Sequence, residues 1–249
     1  MITGNAADSV LQGLGGNDTL NDTGGKNVFD AGSGTDALTG TTSNEIFLGG
    51  TGDDSVDTGT GADIIAFNQG DGQDTVAASS GQDNTVSLGG GIKNTDLTLN
   101  KVGNDLKLGT GAGEGLTFKD WYAAPANRSV LNLQMIEEAS ADFDDMSADK
   151  LINKKIVTFN FAGIADAFDL AGTPTDWEVM ETLLNTFLLA GSDTAALGGD
   201  LAYIYGKALS LTGLALTPVQ GILADSNFGA AAQALQPLPG LQSGLVKLA

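Results

Sequence analysis

Carboxylates set among glycines are the residues in the first third of this chain that could do chemistry. The clearest stretch is Gly49-Gly50-Thr51-Gly52-Asp53-Asp54-Ser55-Val56-Asp57, with a carboxylate in its sixth place and a large apolar side chain in its eighth. Carried along the chain, the sixth place falls on Asp8, Asp18, Asn27, Asp36, Glu45, Asp54, Asp63 and Asp74, in steps of 10, 9, 9, 9, 9, 9 and 11. A glycine turn leaves its carbonyl oxygens uncovered, and an aspartate beside it adds a charged oxygen. Together they form a hard donor set of the kind calcium takes, about six to eight oxygens at roughly 2.3–2.6 Å.

The elements that must position these groups follow from the eighth place: Val10, Leu20, Phe29, Leu38, Phe47, Val56, Ile65 and Val76, all large and apolar. A disordered acidic linker has no need of an apolar side chain at every ninth residue. Each repeat reads instead as a tight glycine turn and a short strand whose eighth residue points inward. Two repeats make a coil of about 18 residues, and coils stack at roughly 4.8 Å. Alternate repeats then lie one above the other, with Phe29 under Phe47, and Leu20 under Leu38 and Val56. So thin a core needs a staple, and the chain has no Cys to make one.

Sorting the turns by side gives two unequal edges. One carries Gly13-Leu14-Gly15-Gly16-Asn17-Asp18, Ala31-Gly32-Ser33-Gly34-Thr35-Asp36, Gly49-Gly50-Thr51-Gly52-Asp53-Asp54 and Gln69-Gly70-Asp71-Gly72-Gln73-Asp74. The expected calcium ligands are Asp18, Asp36, Asp54 and Asp74, with oxygens of Gly13, Gly15, Gly16, Asn17, Gly32, Gly34, Thr35, Gly49, Gly50, Gly52, Asp53, Gly70 and Gly72. Four stacked turns enclose about three Ca2+ sites, Asp36 and Asp54 each serving two. The opposite edge has Ala6 and Ser43 in place of glycine and Asn27 and Glu45 in place of aspartate, with Lys26 alongside. Weak or absent calcium binding is expected there, Asp63 being the exception.

The formal net charge of −20, from 31 acidic and 11 basic residues, fits a segment that repels itself until divalent cations neutralise it. Nucleic-acid binding is excluded by the sign of the charge. No apolar run reaches the roughly 18 residues of a transmembrane helix, and the N-terminus lacks the form of a cleavable signal. The sequence opens inside a repeat, so it reads as the C-terminal part of something longer.

After the repeats, period-two runs appear at Val86–Leu88, Asp96–Leu99, Asp105–Leu108, Leu116–Phe118 and Val130–Leu133. They predict an antiparallel meander that covers the open end of the coil stack, with Trp121 and Tyr122 as its packing anchors. A carbohydrate-binding role for these two aromatics is the lesser reading. Past Glu137 the patterning turns helical: over 156–170; over Val179–Leu189 behind a capping box Thr175-Asp176-Trp177-Glu178; from Thr217-Pro218; and over Ala230–Leu235. The fold class expected is mainly β. A parallel β-roll (1–84) is followed by an antiparallel β cap (85–137) and a smaller α-helical C-terminal region (138–249).

These parts resemble the C-terminal end of a large RTX protein of type I secretion. The nonapeptides cover roughly residues 3–77, and Asn104–Leu108 with Leu116–Tyr122 looks like the cap that follows such rolls. The stretch Gly191–Tyr203 is similar to tails of long calcium-binding surface proteins of this class. The resemblance implies a chain that stays unfolded in the calcium-poor cytosol. An ABC transporter with its partner channel would export it by its C-terminal region, and it would fold on extracellular calcium, secreted or held at the outer surface of a Gram-negative cell. The ending Leu245-Val246-Lys247-Leu248-Ala249 departs from the acidic or hydroxylated end common in some subfamilies.

Catalysis is not expected. The chain has no His, which removes zinc H-E-x-x-H and Ser-His or Cys-His systems, and no G-x-S-x-G elbow. The acid pairs Glu137-Glu138 and Asp144-Asp145 read as solvated surface at a domain junction. Two readings stay open. One is a structural and export module of an adhesin or surface-layer-like protein, with self-association or a cell-surface polysaccharide as further partners. The other is the secretion tail of an enzyme or toxin whose catalytic domain lies upstream.

Overall fold

A computed structural model describes residues 1–79, 84–194, 196–197, 199–209 and 211. The glycine turns alternate with ten short strands, β1 (Ile2–Thr3), β2 (Ser9–Gln12), β3 (Thr19–Asn21), β4 (Asn27–Ser33), β5 (Ala37–Thr39), β6 (Ile46–Thr51), β7 (Ser55–Asp57), β8 (Ile64–Asn68), β9 (Gln73–Val76) and β10 (Asn84–Gly89). Odd and even strands form two separate parallel stacks, so the chain winds as a solenoid of five coils. The inward columns are those the period demands: Leu20 pairs Leu38 and Leu38 pairs Val56, while Phe29 stacks flat on Phe47 with ring centroids 4.9 Å apart. At the first repeat the step of ten shifts the register. Leu11, not Val10, pairs Phe29 and is buried, and Val10 pairs Val28 on the outer face.

Burial is near complete along these columns, so small losses of volume are felt. Ile65→Val, which removes one methyl from a side chain 2% exposed, is expected to cost about 0.5–1.5 kcal/mol. Chemical denaturation in saturating calcium measures it.

The roll continues past the repeats. Strands β11 (Thr98–Val102) and β12 (Asp105–Gly109) form the expected hairpin about Gly103 (φ 62°), and β13 (Gly115–Phe118) joins it antiparallel. Yet β13 also pairs β9 in parallel, and β14 (Val130–Met135) pairs β10 in parallel. The cap is therefore a sixth coil with a hairpin inserted, antiparallel only in part. Trp121 is 1% exposed and packs on Phe118 and Phe161, which makes it a core anchor closed to a sugar.

Among the described residues the C-terminal region carries three α-helices, as expected, together with strands that the sequence patterning did not include. Strand β15 (Ile156–Asn160) extends the even sheet antiparallel to β14, and α1 (Phe161–Leu170) starts where Asn160 caps it, its Oδ1 accepting from Gly163 N–H at 3.0 Å. No capping box forms at Thr175–Glu178, because β16 (Trp177–Glu178) pairs with Thr98 and Leu99. The helix there is short, α2 (Glu181–Phe187), and leads directly into β17 (Leu188–Ser192), which pairs β15. Helix α3 (Gly199–Ala208) lies on the outer face of the even sheet, where Leu201, Ala202, Ile204 and Tyr205 cover Val28, Ile46, Leu48, Ile64 and Ala66. The helices expected from Thr217 and over Ala230–Leu235, and the Leu245–Ala249 ending, lie outside the described residues. Among the described residues no helix is long and apolar enough to cross a membrane.

Candidate calcium-binding turns

Along the first edge the sixth-place aspartates form a ladder. Asp36 Oδ1 accepts from Asp18 N–H at 2.6 Å, Asp54 Oδ1 from Asp36 N–H at 2.8 Å, and Asp74 Oδ1 from Asp54 N–H at 3.0 Å. Each carboxylate thus spends one oxygen on locking the turn below it and turns the other toward the turn itself. Asp36, Asp54 and Asp74 are 2%, 2% and 3% exposed, and Asp18, at the open end, is half-buried. Oδ2 of Asp36 and of Asp54 is fully buried with no hydrogen-bond partner among the described residues.

The fifth place makes a second ladder. Asn17 Oδ1 accepts from Thr35 N–H and Asp53 Oδ1 from Gln73 N–H, both at 3.0 Å. The Asn17 side chain is therefore a staple between turns. The glycines are required by contact as well as by φ. Gly50 (φ 87°) and Gly52 (φ 137°) stack so closely on the Gly32 and Gly34 carbonyls that any Cβ would overlap those oxygens. The same cradle that excludes a methyl group gathers carbonyl oxygens from adjacent turns.

Burial of these carboxylates has an electrostatic signature. Desolvation pushes Asp54 up to about 6 and Asp74 up to about 8, and raises Asp36. Asp71 joins them at about 7, again chiefly through burial. It is 5% exposed, and its carboxylate accepts from Asn68 N–H at 2.7 Å and from the Tyr205 hydroxyl at 3.2 Å. Sequence reasoning passed over Asp71, although the step of 11 into the last repeat marks the turn that holds this extra carboxylate.

On the opposite edge the chain supplies its own donors. Asn27 Nδ2 donates to the Gly24 and Gly25 carbonyls at 3.2 and 3.1 Å and to Glu45 at 3.3 Å. Glu45 in turn accepts from Thr41 N–H at 2.9 Å and from the Thr41 hydroxyl. An amide and a hydroxyl stand where the first edge has bare oxygens. Asp63 is the exception here too: Oδ1 accepts from Glu45 N–H at 2.9 Å, while Oδ2 is buried without a partner. Burial first, and the Glu45 charge second, push Asp63 up to about 8. The ladder ends on Asn84, whose Oδ1 accepts from Asp63 N–H at 3.0 Å.

Residues 3–38 and 39–73 match the RTX calcium-binding nonapeptide repeat (4 copies). The roll of this chain is built of RTX repeats. No curated protein matches it at the level of sequence. The match ends with the last turn of the RTX roll and leaves the sixth coil and the C-terminal region unassigned.

The residues present fit the ion the repeat is named for. Among the described residues no three acidic side chains converge on one point. Each pair of stacked turns offers one or two carboxylates and otherwise carbonyl oxygen, a hard donor set that calcium accepts and a soft-ligand metal does not. Bound in the first edge of the RTX roll, calcium would supply positive charge to the orphaned oxygens of Asp36 and Asp54.

Proposed function

We propose that this RTX chain is a calcium-dependent structural and export module of a secreted or surface-held protein, with the ions seated between the turns that carry Asp18, Asp36, Asp54 and Asp74. The observation that carries the reading is the buried, unpartnered carboxylate oxygen of Asp36 and Asp54, repeated at Asp63. An ionised carboxylate taken out of water without a partner costs several kcal/mol in practice, so the fold waits for a cation. A chain that waits for calcium stays thread-like where calcium is scarce, as passage through an ABC transporter requires, and locks outside. Extracellular sites of this donor type hold calcium at roughly 10⁻⁴–10⁻³ M.

An export experiment tests it. A passenger fused ahead of residues 1–249 is expected in the medium of cells that carry a type I transporter, and not of cells lacking the ABC component. The exported chain should be protease-resistant only with millimolar calcium outside. Export that ignores the transporter, or equal resistance in chelator, would sink the proposal. An adhesin or surface-layer-like parent is favoured over an upstream enzyme by the C-terminal region, whose β15, β17 and α3 are built onto the roll itself. A detachable export label has no need of that.

A further inference from the structure

Outside the repeats, the pair Glu137-Glu138 is the surprise of the buried interior. Instead of two solvated acids, Glu138 accepts from Lys155 Nζ at 2.8 Å and pairs with Lys207 at 3.3 Å, and it also holds the Tyr203 hydroxyl. Glu137 has no such company. It is 1% exposed, and both of its carboxylate oxygens are fully buried without a hydrogen-bond partner. Among the described residues it is the one side chain with both carboxylate oxygens in that state.

The segment that follows it is Ser140–Asn153, a loop between β14 and β15 that carries Asp142, Asp144, Asp145 and Asp149 against the single Lys150. Beyond desolvation, the charges that act on Glu137 are those of Asp142 and then Asp149, both of its own sign. The cations nearby are spent elsewhere: Lys93 binds Asp142 Oδ1 at 2.8 Å, and Lys155 and Lys207 bind Glu138. Asp149 uses Oδ1 for Leu151 N–H at 2.9 Å, which pins the loop where Leu151 plugs the core at 0% exposure. A buried acid with unpartnered oxygen, neighbours of like charge and no basic partner is the pattern seen at Asp54 and Asp63, where one oxygen is in that state rather than two. There it belongs to turns of a calcium-binding repeat.

We infer that Glu137 and the Ser140–Asn153 loop form a calcium site separate from the roll, with Glu137 as a bidentate ligand and Asp149 as the second carboxylate. Carbonyl oxygens of the loop and water complete the shell, as calcium permits. Such an ion would tie the start of β15 to the end of β14, at the point where the sixth coil hands over to the C-terminal region. It lies outside residues 3–73 and does not rest on the nonapeptide turns.

Calcium counting on the full chain tests it, by calorimetry and by metal analysis after desalting. Glu137→Gln is expected to bind one ion fewer than the parent, with the isotherm of the remaining ions superimposed. It keeps the shape of the side chain and removes an uncompensated charge, so its metal-free fold is not weakened. Asp149→Asn is expected to weaken the same ion at least about tenfold, as loss of a metal ligand or its support commonly does. Asp54→Asn is expected to lose roll ions and keep this one, so failure of the roll assignment and failure of this site read differently. An unchanged ion count in Glu137→Gln overturns the proposal. As a second readout, amides of residues 140–153 should gain hydrogen-exchange protection with calcium in the parent and not in Glu137→Gln; equal protection in both also overturns it.

Discussion

In calcium-depleted buffer at pH 8 the roll is expected to lose its β structure, and either calcium or acid is expected to restore it. The acid arm follows from the direction of the shifts. Burial holds Asp54 at about 6, Asp71 at about 7, and Asp63 and Asp74 at about 8 in the folded chain, against about 3.9 for an exposed aspartate. A carboxyl whose folded value is raised favours the fold when protonated. Its contribution is complete below about pH 4 and is lost as pH rises through 6 to 8. The metal-free roll should therefore gain β structure on acidification across that window, helped by the fall of a net charge of −20. Calcium has the opposite pH dependence, because its ligands must be deprotonated and binding releases protons. Less calcium should be needed at pH 8 than at pH 6, with proton uptake or release measured in parallel. Circular dichroism against pH and against calcium checks both arms. A roll fully folded at pH 8 without calcium would mean that carbonyl and carboxylate oxygens are satisfied in some other way.

How much of this was legible in the sequence follows from what each residue type forces. Phe29, Leu38, Phe47 and Val56 sit in their columns as read, because an 18-residue coil returns the eighth place of alternate repeats to the same face. Val10 failed where one extra residue broke the step, and the neighbouring Leu11 was apolar enough to take the inward place. Asn84 went unseen as the last rung of the opposite edge's ladder because the chain between β9 and β10 abandons the nine-residue beat. The strands β15 and β17 were hidden by their composition. Phe159 and Phe161 suit a helix face as well as a sheet, and pairing with β14 decided the matter, so that period two ends and period 3.6 begins at Asn160. Trp177 went the same way: local capping chemistry lost to two residues of sheet pairing with β11. At the site, the difference in residue types between the two edges was plain in the sequence. What was not legible is that the second edge is satisfied rather than merely degraded, since that depends on Asn27 and Thr41 reaching particular oxygens.

That distinction is what separates Asp54→Asn from Asn27→Ala. Asp54→Asn keeps the Oδ1 that accepts from Asp36 N–H and removes only the charge of the oxygen that has no partner. It is expected to raise the calcium needed for half-folding at least about tenfold, or about 1.4 kcal/mol, and to lower the number of ions bound. In calcium-depleted buffer the same variant should keep at least as much β structure as the parent as pH rises from 6 to 8, because an uncompensated buried charge has gone. Asn27→Ala is expected to behave in the reverse way. It leaves the Gly24 and Gly25 carbonyls without the amide that donates to them and deprives Glu45 of a donor. Stranding such groups costs about 1–3 kcal/mol each, at every calcium concentration and with the ion count unchanged. Asp36→Ala and Glu45→Ala should fall on the same two sides of the line. A calcium titration of folding for the four variants, with ion counts by calorimetry, decides it. If all four shift the calcium midpoint alike, the second edge binds calcium as the first does, and the Asn27 amide is a bystander rather than a replacement for the ion.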